Sequence, residues 1–552
     1  MRERNVLLSV IYLTLLFMVT WNVIFCQMQN GPPITISLKT SNSSGDEIFE
    51  TMTTISPNTI QSIHVTDIPK TPNSFLICEA HTFRYNVSIS YTDVVLQPHM
   101  YVNGTNVGLY FLNNKLAISF WIFNSNPVNV TTMLSVVLYT NNVPVPGGCN
   151  LEFNTEIAPY LKLTSTDSVI TVDGEAASIS NTTCDKQKIQ YDMYHLFLPE
   201  QDFTPETYFN GIRQLMTVSN ILENGHKVPA PLNSPYLRRK YSTYHGLGEV
   251  FAMIATYNNQ SSAYVPIVSY SCDILQWSNY CEDITSPFLQ SLIGVVFFLG
   301  LFGCYFGHKF FKTGVFLLGL FTGSLVSYIL ISIAEDESLE SNILSSLLIG
   351  IASGLVWLSV WSYFGIPIVA VTLPNLVVGF VIASVFYHVG LADFQIMQLD
   401  VNYWMLFVSI ILSAAMSLSI ITQHANILAC SVLGGYCVII PLDRYIGANL
   451  KYILINVLRR ATEPEFQNVI IDPPFQNRDL ALYILWAALA ISGYGYQYYQ
   501  QRGRPPFPPP PYMQRRLETH LQRSEREPLV ASRAVKQYQA ILTTPSGSQL
   551  AL

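Results

Sequence analysis

The sequence predicts a β-rich, sandwich-like ectodomain, an all-α membrane domain of seven helices and a disordered, proline-rich cytoplasmic tail. Long apolar runs recur between residues 287 and 498, and most approach the roughly 20 residues that a helix needs to cross a bilayer. Before them, apolar and polar residues alternate in short stretches, which is typical of strands. Charged residues make up only 12% of the 552-residue chain, about half of their usual share. The net charge of −7 is too dilute to indicate a nucleic-acid partner.

The seven predicted spans keep acidic and basic residues in the connections between them. The cost of a charge in hydrocarbon requires this placement, whereas buried helices of a soluble core would show a polar face. The sixth span is the shortest. The spans are Pro287–Phe306, Gly314–Ala334, Ile343–Phe364, Ile366–Gly390, Trp404–Thr422, Ile427–Leu442 and Leu480–Tyr498.

The ectodomain, residues 27–286, alternates in the way that strands of a sandwich or barrel do. Two tandem β-rich domains are expected, at 27–160 and 161–286, with a turn-forming hinge near Val143–Cys149; one larger domain is the alternative. A helical interlude is expected at Pro205–Leu222, where apolar residues recur every three or four positions. The predicted strands are Asn86–Leu96, Leu116–Phe123, Met133–Tyr139, Ser168–Val172, Gly248–Tyr257 and Ala263–Tyr270.

Two features place this ectodomain outside the cell or in the lumen. Residues 1–26 resemble a secretory signal peptide, with Arg2 and Arg4 before the apolar stretch Val6–Cys26; an uncleaved anchor, forming an eighth span, is the alternative. Six glycosylation sequons all precede the first span, which fits a glycoprotein. Their acceptors are Asn42, Asn86, Asn103, Asn129, Asn181 and Asn259.

Five cysteines of the ectodomain are expected to form disulfides in an oxidising compartment. We pair Cys272 with Cys281 across a short loop before the membrane, and Cys149 with Cys184. Cys78 is then left free. No cysteine or histidine spacing predicts a metal site, and no cofactor is expected.

An odd number of spans places the tail in the cytoplasm. The first connection, with Lys309 and Lys312, would then be cytoplasmic, and the acidic connection at 335–341 would lie outside. The segment 443–479 fits less well, because it would be external and yet carries five bases; within it, Tyr452–Leu458 is amphipathic enough to lie in the membrane interface.

The spans offer no predicted chemistry. We find no ionisable residue well inside a span, and His308, His388 and His424 are interpreted as solvated residues at span ends. Hydrolase motifs are absent, so no catalytic residue is assigned and an enzyme is not expected. Small-residue pairs predict close helix packing, within one bundle rather than between protomers. These pairs are Gly319/Gly323, Gly350/Gly354 and Gly379/Ala383.

Seven spans suggest two other function classes. Asp443, Arg444 and Tyr445 spell the DRY triplet of G-protein-coupled receptors, but at the outer end of the sixth span rather than the inner end of the third. A receptor of another kind stays an alternative. A channel or transporter is the other, and it would need a wet path lined by residues such as Ser324, Ser327, Ser413 and Ser417.

The tail, 499–552, is predicted to be disordered and to carry short recognition motifs. Pro509, Pro510 and Tyr512 fit a PPxY ligand for a WW domain, commonly that of a ubiquitin ligase; a stiff spacer is an equal alternative. Two sorting signals for clathrin adaptors are expected. They are an acidic dileucine type at Glu525, Leu529 and Val530, and a tyrosine type at Tyr538 and Ile541.

Several stretches together resemble the transmembrane 7 superfamily member 3 family. They are Pro144–Phe153, Tyr191–Glu200, Phe302–Thr313, Asn426–Leu458 and Gly503–Tyr512. The resemblance is weak over 27–135 and after 515, and Cys78 does not match the family pattern. It implies a non-receptor multispan protein that restrains stress-induced cell death and dampens the response to unfolded protein. We expect such a protein to act through protein contacts, with an ectodomain partner that the sequence does not identify. The plasma membrane, endoplasmic reticulum and endolysosome are all possible residences.

Overall fold

A computed structural model describes two compact units. The described residues are 29–38, 48–69, 74–93, 97, 99–139, 143–179, 183–184, 188–230, 237–272, 286–334, 338–504, 507 and 519. Within them, the first unit contains the ectodomain through residue 272 together with Val389–Asp400 and Pro464–Gln476. The second unit contains the remaining residues, most of which are helical.

The first sandwich of unit one has two sheets whose inner faces share one apolar core. One sheet has the order β1-β4-β9-β6-β7, with β2 also paired to β4, and the other has the order β3-β10-β5-β8. Ile63, Phe120 and Leu134 are fully buried between them, as alternating inward residues of a sandwich should be. The strands are β1 Gln29–Asn30, β2 Ile34–Ser37, β3 Ile48–Ile55, β4 Thr59–Thr66, β5 Phe75–Thr82, β6 Val87–Ser90, β7 Tyr101–Gly104, β8 Asn106–Leu112, β9 Ile118–Asn124 and β10 Val130–Tyr139.

The second sandwich carries two short helices on one face. Its sheets have the orders β11-β12-β15-β19 and β14-β13-β16-β17, with β18 also paired to β16. The elements are β11 Lys162–Ser165, β12 Val169–Asp173, β13 Gln190–Phe197, α1 Pro205–Gln214, α2 Val218–Asn224, β14 His226–Lys227, β15 Arg238–Ser242, β16 Glu249–Tyr257, β17 Gln260–Ala263, β18 Ile267–Ser269 and β19 Val469–Ile470.

A shared apolar cluster joins the two sandwiches. Phe83 and Met133 of the first pack with Tyr208 and Ile212 of α1. The Tyr208 hydroxyl also donates to the Thr82 carbonyl at 2.8 Å, so this buried phenol has a hydrogen-bond partner. The two sandwiches are therefore held together by a common core.

The helical unit consists of seven long helices and one short amphipathic helix among the described residues. Six of them, α3 to α8, are long and apolar enough to cross a membrane. Helix α10 is not among the six, since polar residues and tyrosines replace aliphatic ones toward its end. The helices are α3 Pro287–Phe306, α4 Phe311–Ala334, α5 Leu339–Phe364, α6 Pro367–His388, α7 Asp400–Ser419, α8 Thr422–Ile446, α9 Tyr452–Thr462 and α10 Asn477–Gln501.

Glycines let α4 and α5 approach closely within this one chain, as predicted. A Cβ added at Gly354 would lie 2.7 Å from the Phe316 carbonyl oxygen, and one at Gly350 would lie 2.7 Å from that of Leu320. Gly379 makes a similar approach to the Ile411 carbonyl of α7. These small residues are used in internal packing and allow backbone-to-backbone contact.

Several predicted elements differ from the structure. The strand predicted at Asn86–Leu96 is β6, which ends at Ser90 and is followed by a bend at residues 91–93. The sixth span, predicted as Ile427–Leu442, is the 25-residue helix α8, because Asn426 and Asp443 are buried with hydrogen-bond partners and so do not end it. The predicted strand Ala263–Tyr270 is two strands, since Pro266 between them has no N–H to donate. The helix expected at Pro205–Leu222 is also divided, into α1 and α2.

Candidate functional site: a loop clasp on the second sandwich

Two segments that connect membrane helices belong to the folded unit of the ectodomain. Pro464–Gln476 supplies β19, whose Val469 and Ile470 pair in parallel with Lys240 and Tyr241 of β15. Adding a strand to an open sheet edge is a common mode of peptide recognition. Ile470 also enters the core of the second sandwich, where it is 8% exposed.

A buried histidine lies at the centre of this contact. His195 of β13 directs Nδ1 to Glu249 Oε1 of β16 at 2.5 Å and Nε2 to Asp472 Oδ2 at 3.2 Å. The His195 side chain is 2% exposed, and that of Asp472 is 53% exposed. With carboxylates at both nitrogens, the imidazolium form can donate two hydrogen bonds.

The electrostatics of the group favour the charged histidine. Burial alone would lower the pKa of His195, but the hydrogen bonds with Asp472 and Glu249 raise it to about 9. Burial raises the pKa of Glu249, and the nearby histidine opposes that rise. A buried charge needs a partner of opposite sign, so His195 and Glu249 stabilise each other.

A second carboxylate joins the two connecting segments. Asp393 Oδ1 accepts a hydrogen bond from the Ile471 N–H at 2.8 Å. Burial raises the pKa of Asp393 to about 7, and the negative charge of Asp472 adds to the rise. This bond ties Val389–Asp400 to Pro464–Gln476, so the two segments form one surface against the second sandwich.

Further polar contacts surround this centre. Gln476 accepts from the Glu200 N–H at 2.9 Å and donates to the Leu198 carbonyl at 3.0 Å. Lys240 pairs with Glu465, and Gln395 donates to the Ala230 carbonyl at 3.2 Å. We call the whole set the loop clasp. It comprises Asp393, Gln395, Glu465, Val469–Ile471, Asp472 and Gln476 on the connecting segments, and His195, Leu198, Glu200, Ala230, Lys240, Tyr241 and Glu249 on the sandwich.

The polar groups of the loop clasp bond to one another and to backbone N–H groups. Across the described residues, no group of three or more His, Cys, Asp or Glu side chains has the arrangement that could hold a metal ion. The acidic groups of the clasp instead accept from a histidine and from backbone N–H groups. Chemically, the clasp is a hydrogen-bonded contact whose histidine and carboxylates can gain or lose protons.

The predicted glycan acceptors fall on the surface wherever the structure describes them. Asn86, Asn103, Asn129 and Asn259 are all exposed. Asn258 and Asn259 both have positive φ, 48° and 62°, in the tight turn between β16 and β17. Asn42 and Asn181 lie outside the described residues. Glycosylation of these sites stays a prediction.

One predicted disulfide is present, and one cysteine of the other predicted pair is disulfide-bonded. Cys149 and Cys184 are joined, with 6.0 Å between their Cα atoms. Cys272 is disulfide-bonded, and its predicted partner Cys281 lies outside the described residues. Cys78 is a free, buried thiol in β5, where burial raises its pKa far above the ordinary value.

Other predicted functional residues cannot be placed. The signal peptide at 1–26 lies outside the described residues. So do the tail motifs, which comprise Pro509, Pro510, Tyr512, Glu525, Leu529, Val530, Tyr538 and Ile541.

Two of the histidines interpreted as solvated are buried instead. His308 is 4% exposed, with Nδ1 at 2.8 Å from Asn426 Nδ2 and its N–H donating to Gln497 Oε1 at 2.7 Å. His388 is 6% exposed at the end of α6. For His308 the interpretation failed because its polar partners, Asn426 and Gln497, are on distant helices. His424 is exposed, as expected.

The bases that fitted the predicted topology poorly have local partners. Arg460 lies over the Tyr403 ring at 4.6 Å, and Arg459 over the Tyr452 ring at 5.4 Å. Arg478 donates to the Ile446 carbonyl at 2.8 Å, at the end of α8. Such cation–π and helix-terminus contacts stabilise these charged side chains, and the side of the membrane on which the segment lies stays a prediction.

Serines proposed to line a channel mostly bond to their own helices. Ser327 donates to the Gly323 carbonyl at 2.7 Å, Ser413 to Ile410 at 2.9 Å and Ser417 to Ser413 at 2.8 Å. A hydroxyl used in this way has no remaining proton to offer a permeating ligand.

Comparisons with known proteins agree with this architecture. Three family models match: "TM7SF3-like, N-terminal immunoglobulin-like domain" at 41–139, "TM7SF3-like, second immunoglobulin-like domain" at 144–275 and "TM7S3/TM198-like domain" at 293–498. Transmembrane 7 superfamily member 3 of Homo sapiens is 30% identical over 80% of both chains. The chain belongs to the transmembrane 7 superfamily member 3 family. The mouse protein of the same name is also 30% identical over 80% of both chains.

Membership of this family establishes the general architecture of the protein. It is an integral membrane protein with two immunoglobulin-like domains and several apolar helices. The family is one of membrane proteins that is not known for an enzymatic activity. The loop clasp was not anticipated from the sequence, because His195 and Asp472 are separated by 277 residues. The weak signal was a polar, proline-containing segment, 464–476, between two apolar runs.

Proposed function

We propose that the protein restrains stress-induced cell death and dampens the response to unfolded protein, by protein contacts that its ectodomain makes in the lumen or outside the cell. Seven helices cross the membrane, and the tail is cytoplasmic, where WW-domain ubiquitin ligases and clathrin adaptors bind its motifs. The family relationship supports the membrane architecture of this proposal. The loop clasp supports its mechanism.

The positions at which the connecting segments fold support the proposed number of crossings. Four helices, α3 to α6, separate the ectodomain from Val389–Asp400, and α7 and α8 separate that segment from Pro464–Gln476. Both segments pack on the second sandwich, so an even number of crossings must precede each one. Helix α10 then carries the chain to the opposite side. This counting supports seven spans rather than six.

The observation that carries the mechanism is the pairing of His195 with Asp472. Through this pair and β19, the second sandwich holds two segments that are covalently connected to the membrane helices α6, α7 and α10 and to the amphipathic helix α9. A partner that binds the second sandwich and favours the docked or the released loops would change the constraint on those helices. A ligand can shift such an equilibrium only by its difference in affinity for the two states.

The test is rescue of cells that lack the protein. Wild type, Asp472→Ala and the exposed control Glu223→Gln are expressed at equal surface or endomembrane levels, and survival and an unfolded-protein reporter are measured under misfolding stress. Wild type and the control should restore survival and lower the reporter, and Asp472→Ala should do so less. Equal rescue by Asp472→Ala would show that the His195–Asp472 contact of the loop clasp is not needed for the proposed function.

Failure of the wild type to change either readout would remove the stress role itself. Proximity labelling from the tail, in the same cells, distinguishes the proposed function from the receptor alternative. Ubiquitin ligases and sorting adaptors are expected near the tail, and recruitment of G proteins or arrestins would favour a receptor.

A further inference from the structure

A cavity of about 300 Å³ lies between the two sandwiches, away from the loop clasp. One wall is the continuous stretch 102–107 of the first sandwich, and the other is formed by 152–154, 160–163, Ile267 and Val268. Its volume is at the small end of the range for ligand sites, large enough for a sugar residue or two and too small for a folded partner.

Two sequon asparagines line this cavity. Asn103 is an exposed residue of β7, in the middle of the continuous wall. Asn86 is also exposed. Among the described residues near β6, it alone lines the cavity, whereas Asn103 lies within a continuous lining stretch. Since β6 and β7 are paired, with Ser88 opposite Asn103, the two acceptors lie at the same end of one hairpin.

The opposite wall has the chemistry that binds a pyranose. Phe153 and Tyr160 are stacked with 5.7 Å between ring centroids, and Lys162 Nζ lies 5.7 Å from the Phe153 ring. Glu152 and Asn154 add charged and amide groups at the rim. A sugar ring offers C–H groups on its faces and hydroxyls at its edge, which match an aromatic surface bordered by polar groups.

We propose that the first sugar residues of the N-linked glycan on Asn103 occupy this cavity and pack on Phe153. The glycan is attached at the cavity wall, so its first residues are held there at high effective concentration. It thereby becomes part of the contact between the two sandwiches. The proposal rests on the lumenal orientation of the ectodomain proposed above, and goes beyond it.

The first test compares enzymatic release of individual glycans from the folded, full-length protein. A peptide N-glycosidase converts each released acceptor to aspartate, and labelled water marks the site for mass spectrometry. The Asn103 glycan should be released roughly ten-fold more slowly than those on Asn129 and Asn259, a factor equivalent to about 1.4 kcal/mol. After denaturation, the rates should become equal.

Variants separate packing from mere steric shielding. Phe153→Leu keeps the sequon and should raise the release rate at Asn103 toward that at Asn129. Asn103→Gln should lower the thermal unfolding temperature of the full-length protein in detergent. Asn129→Gln removes a glycan outside the cavity and should leave that temperature unchanged, while Thr105→Ser keeps the sequon and serves as the matched control.

The outcomes distinguish this proposal from the orientation on which it rests. If no sequon is glycosylated, the lumenal orientation is wrong. If Asn129 is glycosylated but Asn103 is unmodified, or is released at the same rate, only the cavity proposal is overturned. Slow release at Asn86 in place of Asn103 would also overturn it.

Discussion

Two histidine–carboxylate groups in the ectodomain use the same chemistry in different settings. In the first sandwich, His81 Nε2 lies 3.0 Å from Glu79 Oε2, and Nδ1 lies 3.0 Å from Asn106 Oδ1. The Ser135 hydroxyl donates to Glu79 at 3.2 Å. The side chains of His81 and Glu79 are 0% and 3% exposed. Every member of the group comes from β5, β8 or β10 of one sheet.

The second group, in the loop clasp, has one member from elsewhere in the chain. His195 and Glu249 are on neighbouring strands, but Asp472 comes from a connecting segment and is half exposed. The first group can open only if its sheet opens. We expect that the second can release Asp472 while the sandwich stays folded, because His195 keeps Glu249 as a partner. The difference between a structural pair and a reversible contact therefore lies in where the third group comes from.

The largest expected effect is in the first group. Glu79→Ala leaves His81 Nε2 and the Ser135 hydroxyl buried without the Glu79 acceptor, and each buried polar group left unsatisfied costs about 1–3 kcal/mol. We expect a markedly lower unfolding temperature of the full-length protein in detergent. Tryptophan fluorescence measures this temperature.

Glu79→Gln is the matched variant, because its amide oxygen can still accept from Ser135. It should lose less stability than Glu79→Ala. If Glu79→Ala unfolds at the temperature of the surface variant Glu223→Gln, the buried group does not stabilise the sandwich.

Much of this fold is encoded in local patterns. The first span was predicted as Pro287–Phe306 and is the same helix in the structure, because its ends coincide with Pro287 and with the polar segment after Phe306. Alternation likewise located the strand from 249 to 257, predicted from Gly248. The pair Cys149–Cys184, the second of the two predicted pairings, is also present. In each case the deciding information lies within a few dozen residues.

The candidate site could not be found in this way. In the sequence, His195 is one polar residue of an alternating strand, and Asp472 is one acidic residue of a predicted loop. Their meeting depends on β19 pairing with β15. The interpretation of His308 as a solvated residue was wrong for the same reason, since its partner Asn426 is on another helix. Partners at long sequence separation leave no periodic signal in a single sequence.

A smaller and local effect is expected when the clasp is broken. Asp472 is half exposed, so Asp472→Ala should cost about 1 kcal/mol or less. Hydrogen exchange should become faster across 464–476, while the strand β13, which carries His195, keeps its protection.

Asp472→Asn is the intermediate variant, since it keeps an acceptor and loses the charge. If exchange in β13 accelerates together with that in 464–476, the loop and the sandwich open as one unit. The contrast between the two histidine groups would then be wrong.

The smallest effect is the pH dependence of loop docking. The folded pKa of His195, about 9, lies above the ordinary value of 6.5, so its stabilisation is complete below about 6.5 and is lost as pH rises through about 9. The raised pKa values of Glu249 and Asp393 act in the same direction, since the folded state binds more protons than the unfolded state. Docking should therefore weaken as pH rises. The ring of His226 is also close, 6.2 Å from that of His195.

The change is expected to be modest, because Glu249 stays beside His195 when the loop leaves. Only the part of the pKa shift that comes from Asp472 is linked to docking. We expect roughly a three-fold loss of exchange protection in 464–476 between pH 6 and pH 9, after correction for intrinsic exchange, which is under 1 kcal/mol. His195→Gln should flatten this dependence. A protection that does not change with pH would show that β19 pairing and the apolar contacts of Ile470, rather than the charged pair, hold the loop in place, and a protection that rises with pH would contradict the charged pair directly.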